Sequence, residues 1–93
     1  MWNERESPLR IEKRFEFEQY SKISKFMEKI DQLCKEKNIY PNISFGKNFV
    51  SVTIFSDNNS ISSLEKDFSK DIDKFYLEDY SFFNNYLALQ YLF

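Results

Sequence analysis

Residues 38–57 read NIYPNISFGKNFVSVTIFSD, and this stretch decides the fold. Pro41 prevents any preceding helix from resuming, because proline lacks an N–H and its ring clashes with the previous turn. Ile43–Phe45 is a short strand, and Gly46-Lys47-Asn48 is a turn carrying the only glycine of the chain. A positive φ is expected at Gly46, as hairpin tips often require. Phe49–Phe55 is the partner strand: Val50, Val52 and Ile54 point one way, Phe49, Ser51, Thr53 and Phe55 the other. Asp57-Asn58-Asn59-Ser60 has loop composition. A helix exit (Ile39, Tyr40) and a strand end (Ser56, Asp57) lying side by side can frame a small pocket.

Immediately before this stretch lies an amphipathic helix, expected over Glu18–Lys37. Tyr20, Ile23, Phe26, Met27, Ile30, Leu33 and Cys34 recur at three- and four-residue steps and form one apolar stripe. Glu18 suits the positive N-terminal end of that helix, and Lys35 and Lys37 suit the other. Asn38 is placed to leave it in a left-handed conformation. Further back, Leu9, Ile11, Phe15 and Phe17 alternate with Arg10, Glu12, Arg14, Glu16 and Glu18. That period of two is a strand with one wet face. Lys13 interrupts the apolar row, as an edge position or a bulge would, and Ser7-Pro8 marks the turn before the strand. A further strand starting at Trp2 has only a weak signal.

On the other side of the loop, Ser62 and Glu65 fit a capping box, with Ile61 ahead of the cap. Leu64 or Phe68, Ile72, Phe75 and Tyr76 form the stripe of a second helix, expected to close at Glu78-Asp79. The chain therefore divides into a domain over residues 1–79 and an aromatic extension over residues 80–93, which is expected to be helical. The extension carries Phe82, Phe83, Tyr86, Leu87, Leu89, Leu92 and Phe93. It packs on its own domain or serves a subunit or partner contact, since a free aromatic patch is unusual on a monomer. Strands, helix, hairpin and helix in this order give an α+β fold: a four-stranded antiparallel sheet with helices on one face.

Composition agrees with a small, dense domain. A chain of 93 residues buries roughly 60–65% of its unfolded surface, so its core must be efficient. Eleven Phe, six Tyr and one Trp supply that efficiency. With 13 basic and 15 acidic residues intermixed, the net charge of −2 argues against a nucleic-acid partner. No apolar run approaches about 18 residues, so no membrane span is expected. Cys34 is the only cysteine, which excludes an internal disulfide and points to a reducing, cytoplasmic setting. Neither a metal nor a cofactor is implied.

Taken in order, several short motifs give the chain a resemblance to the pterin-4a-carbinolamine dehydratase family. Trp2-Asn3-Glu4 sits at the family's N-terminal tryptophan, and Phe15-x-Phe17-x-x-Tyr20 matches its aromatic passage from strand to helix. Ile23, Phe26 and Ile30 match the helix positions before a His-His-Pro motif, whose proline is Pro41. Val50-x-Val52-x-Ile54 matches the central strand, and Ile61-Ser62-x-x-Glu65-x-x-Phe68-Ser69-x-x-Ile72-Asp73 matches the last helix.

The resemblance implies the α+β fold above and an ancestral reaction, dehydration of 4a-hydroxytetrahydrobiopterin in tetrahydrobiopterin recycling. It also implies homodimers or homotetramers and a pterin ligand. That reaction is proton transfer, for which imidazole is suited because it titrates near neutrality. This chain has no histidine. The family's histidine pair falls on Ile39 and Tyr40, and its third histidine on Asp57, or on Ser56 if the gap lies earlier. The acidic residue four positions before the pair falls on Lys35. Tyr40 and Asp57 are thus the candidate acid and base, with Trp2, Ile39, Pro41 and Ser56 as candidate pterin contacts. Phenols ionise near pH 10 and carboxylates near 4, about three units from neutrality on either side. Losing matched acid–base groups costs about 10²–10⁴ in rate.

Weak or lost dehydratase activity is therefore expected. The alternative is a non-catalytic interaction or assembly module on the same fold, with a protein partner met through the extension. Bland readings stand beside each candidate. Tyr40 fits a turn aromatic on Pro41, Asp57 a residue opening a turn, Lys35 a solvated helix position, Trp2 a core plug and Cys34 an inert buried thiol.

Overall fold

The computed structural model describes the backbone of residues 1–92 and the side chains of residues 1–78. Two strands open the chain, β1 (Asn3–Arg5) and β2 (Arg10–Glu16). Helix α1 (Tyr20–Lys37) follows, then the hairpin of β3 (Asn42–Phe45) and β4 (Phe49–Phe55), and then helix α2 (Ser63–Leu92). The sheet is antiparallel throughout, in the order β1-β2-β4-β3. The two seven-residue strands are central and pair along their whole length, from Arg10 opposite Phe55 to Glu16 opposite Phe49.

Alternation along those central strands determines which face is covered. Ile11 and Phe15 of β2 and Val50, Val52 and Ile54 of β4 are buried on one face. Against them pack Ile23, Phe26, Ile30, Leu33 and Cys34 from α1, and Phe68 and Ile72 from α2. Both helices therefore lie on one side of the sheet. Phe15, Phe26, Phe68 and Ile72 are at most 1% exposed, and at roughly 25 cal/mol per Å² such burial is the main source of stability. Phe15, Phe17, Phe26 and Tyr76 form a ring cluster with centroids 5.0–6.0 Å apart, in tilted and edge-on geometries that suit aromatic quadrupoles.

Several local expectations are corrected. Helix α1 begins at Tyr20 with Gln19 as its cap, so Glu18 lies outside it and the first turn carries no acid. Tyr20, counted into the apolar stripe, is 53% exposed, because it sits at the helix end beyond the reach of the sheet. Asn38 does take the left-handed conformation, with φ 56°, and ends α1. Gly46 has no positive φ. Space is what it supplies: a Cβ there would lie 2.3 Å from the Phe49 ring. Lys13 marks no bulge, since it pairs in register with Val52.

Helix α2 opens with the expected capping box. The Ser62 N–H donates to Glu65 Oε1 at 2.8 Å, and the Glu65 N–H donates to Ser62 Oγ at 3.2 Å. Its buried stripe uses Phe68, not Leu64, which is 67% exposed. The helix does not close at Glu78-Asp79 but continues unbroken to Leu92. Side-chain packing of residues 79–93, and with it the packing or partner role of the extension, lies outside the described residues. Among the described residues, no helix is long and apolar enough to cross a membrane.

Candidate functional site

Where α1 leaves the body and β4 ends, the chain forms an open hollow of about 530 Å³. Asn38 turns the chain sharply out of α1, so Ile39 and Tyr40 project beside the end of β4. Their side of the hollow also holds Lys37, while Ile54, Phe55, Asp57 and Asn58 line it from β4 and its loop. Ser62, Leu64 and Glu65, from the start of α2, complete the lining. Three element ends converge here: the C-terminus of α1, the end of β4 and the N-terminus of α2.

The candidate residues divide. Ile39, Tyr40 and Asp57 are brought together in this hollow. Tyr40 is 69% exposed, so its phenol faces water rather than an enclosed reaction chamber. Asp57 is exposed as well. Pro41 faces a neighbouring, mostly apolar depression between α1 and β3, shared with Tyr40, Met27, Ile30, Cys34 and Ile43. Ser56 is absorbed by its own loop. Its hydroxyl accepts the Asn58 N–H at 3.1 Å and has the carbonyls of Asn58 and Ser60 within 2.8 and 2.7 Å to donate to.

Trp2 is not part of the lining. It precedes β1, whereas Tyr40 precedes β3, and the strand order puts those two strands at opposite edges of the sheet. Its indole N–H lies 3.1 Å from both carboxylate oxygens of Asp73, and its ring meets Phe15 edge-on at 5.9 Å. Lys13 Nζ donates to the same carboxylate at 2.8 Å. Asp73 is thus a hub joining the N-terminal segment, β2 and α2, and Trp2 acts there as a core plug. Lys13, facing the helices, breaks the apolar row because it has this partner to reach.

Lys35 stays outside the hollow. It pairs with Asp31 one turn earlier at 3.0 Å, and that hydrogen bond and its charge hold the Lys35 ammonium above its ordinary pKa. Burial, aided by the Asp31 charge, pushes the Cys34 thiol up, which keeps it protonated and unreactive. Sequence reasoning missed Glu65 as a site residue because the capping-box pattern explained it fully. Its place at the meeting of α2 with the β4 loop is a tertiary fact.

Comparison with known proteins agrees with this architecture. The family model described as pterin 4 alpha carbinolamine dehydratase matches residues 1–75. The chain belongs to that family, as a divergent member without histidine. Among solved structures it is similar to a pterin dehydratase-like protein identified as a RuBisCO assembly factor in the alpha-carboxysome. The two share 28% identity and a TM-score of 0.74, over 81% of this chain and 88% of that one. It shares its fold with a transcriptional coactivator/pterin dehydratase from Brucella melitensis, at 19% identity and a TM-score of 0.73, over 80% of each chain. No match was found among curated proteins.

Proposed function

We propose that this chain is a non-catalytic assembly module of the pterin dehydratase family, and that RuBisCO is the first partner to test. The observation that carries this reading is that the chain has no histidine, with Ile39, Tyr40 and Asp57 or Ser56 at the family's histidine positions, and a hollow open enough to leave Tyr40 69% exposed. Efficient proton transfer needs groups that titrate near the working pH and a site that excludes water. The occupation of the Trp2 indole by Asp73 supports it too, since the expected pterin platform is engaged in holding the fold. The likeness to a RuBisCO assembly factor supplies the partner class. Homodimers or homotetramers, and a contact through the extension, belong to the same proposal.

Co-expression of RuBisCO subunits with and without the chain tests it. A higher yield of assembled enzyme on native gels is expected with the chain, and an unchanged yield refutes the reading. A second reading, residual dehydratase activity, is favoured by one observation: Tyr40 and Asp57 line the same hollow. Stopped-flow measurement with the carbinolamine decides it. A rate above the buffer blank that falls with Tyr40→Phe supports catalysis, and a rate equal to the blank excludes it.

A further inference from the structure

We propose that the β3 edge of the sheet receives an extended segment of the partner protein, which pairs with β3 as a fifth strand; this rests on the assembly reading above. β3 is an outer strand, bonded to β4 on one side only. The Gly46 N–H donates to the Phe49 carbonyl at 3.0 Å, and hydrogen-bonded pairs alternate along an antiparallel ladder. Ser44 with Ser51 and Asn42 with Thr53 are therefore the bonded pairs of this hairpin. The N–H and C=O groups of Ile43 and Phe45 point the other way, out from the sheet. Among the described residues none of those four groups has a hydrogen-bond partner. A row of backbone donors and acceptors at strand spacing is the template for another extended chain.

The two edges of the sheet are built differently. Edges are ordinarily blunted by charge, proline, a bulge or shortness. β1 has three residues, and Glu4 and Arg5 among them are charged. β3 carries no charge and no proline, and it pairs with β4 in unbroken register. Exposed aromatic rings stand at both of its ends, Tyr40 at 69% and Phe45 at 49%. On the helix side of the sheet, β3 also borders the depression of about 240 Å³ lined by Met27, Ile30, Cys34, Pro41 and Ile43. Side chains alternate across a strand, so every second residue of an added strand faces the side on which that depression opens. Asp31 is the one charged residue in its lining, and it is already paired with Lys35 at 3.0 Å. The lining thus offers no free counter-ion, and the segment that complements it is neutral, with an aliphatic residue at alternate positions.

The peptide acetyl-Lys-Thr-Val-Thr-Val-Thr-Lys-amide, titrated into the full chain and followed by amide ¹H–¹⁵N spectra and hydrogen exchange, tests the inference. Saturable shifts centred on Ile43 and Phe45 are expected, with exchange of those two amides slowed at least about tenfold at saturation. The same peptide N-methylated on its two valines keeps its side chains but loses the donors that face β3. It should bind at least about tenfold more weakly. Phe45→Pro removes an N–H that points away from β4, so the ladder to β4 survives, and this variant should weaken binding by a similar factor. Equal binding by the N-methylated peptide, shifts centred on the hollow of Tyr40 and Asp57, or no shift at millimolar peptide overturns the inference. So does protection of Ile43 and Phe45 that rises with chain concentration in the absence of peptide, which gives the edge to a second copy. If Phe45→Pro folds and promotes RuBisCO assembly undiminished, the edge is not the docking point, so the inference falls and the assembly reading stands. If the wild-type chain binds the peptide along β3 yet promotes no assembly, the edge's preference for a strand stands and the assembly reading falls.

Discussion

The Asp73 hub and the Tyr40–Asp57 hollow treat polar groups in opposite ways. At the hub, the Trp2 indole and the Lys13 ammonium converge on one carboxylate, with the side chains of Lys13 and Asp73 only 21% and 31% exposed. At the hollow, Tyr40 and Asp57 are exposed, while Glu65 is engaged in capping α2. Polar groups that close on each other stabilise a fold, whereas groups left open at the surface are available to a ligand. The difference separates a closed cluster that holds the fold from an open one that does not.

The largest effect that sharpens this contrast lies in the core that both regions share. Phe26 is 0% exposed, and Phe26→Ala should cost about 3–5 kcal/mol in urea unfolding, enough to threaten a domain of this size. A smaller but definite loss is expected at the hub. Asp73→Ala strands two donors, and because the pair is partly solvated the cost should be about 1–2 kcal/mol. Trp2 is the only tryptophan, so its emission should shift to the red in that variant. An unchanged spectrum and stability would break the assignment of the hub as structural.

The next prediction concerns pH. Burial raises the Cys34 thiol pKa in the folded chain above its ordinary value of 9.0, so the unfolded chain gives up that proton first. The stabilisation is fully present below that value and is lost as pH climbs through the raised folded one. Wild type should therefore lose more stability than Cys34→Ala between neutral and strongly alkaline pH, and parallel curves would contradict the burial argument. The smallest effect is expected at the hollow. Tyr40→Phe removes a solvated hydroxyl and should change stability by less than about 0.5 kcal/mol. A loss of several times that would mean the hollow is a structural element after all.

Much of this was legible beforehand. Alternation in Phe49–Phe55 and the three- and four-residue steps of α1 named the buried faces, because apolar residues must share a face to leave water together. The Asn38 exit, the Ser62–Glu65 box and the shared hollow of Ile39, Tyr40 and Asp57 were also readable. Gly46 misled because a glycine at a hairpin tip has two uses, backbone freedom and space, and only the Phe49 ring shows which applies. Tyr20 misled because a stripe continues in sequence past the point where the sheet stops covering it.

What the sequence by itself determined is therefore periodic and local: two central strands, an amphipathic helix, a capped second helix, and the family they belong to. What only the tertiary structure decided is which polar side chains find partners. Trp2 and Asp73 are 71 residues apart, and Lys13 and Asp73 are 60 apart. No pattern in the sequence reports that meeting, because it exists only once the sheet has brought distant segments together. The fate of Trp2 as a plug, and of Glu65 as part of a hollow's lining, followed from that long-range geometry.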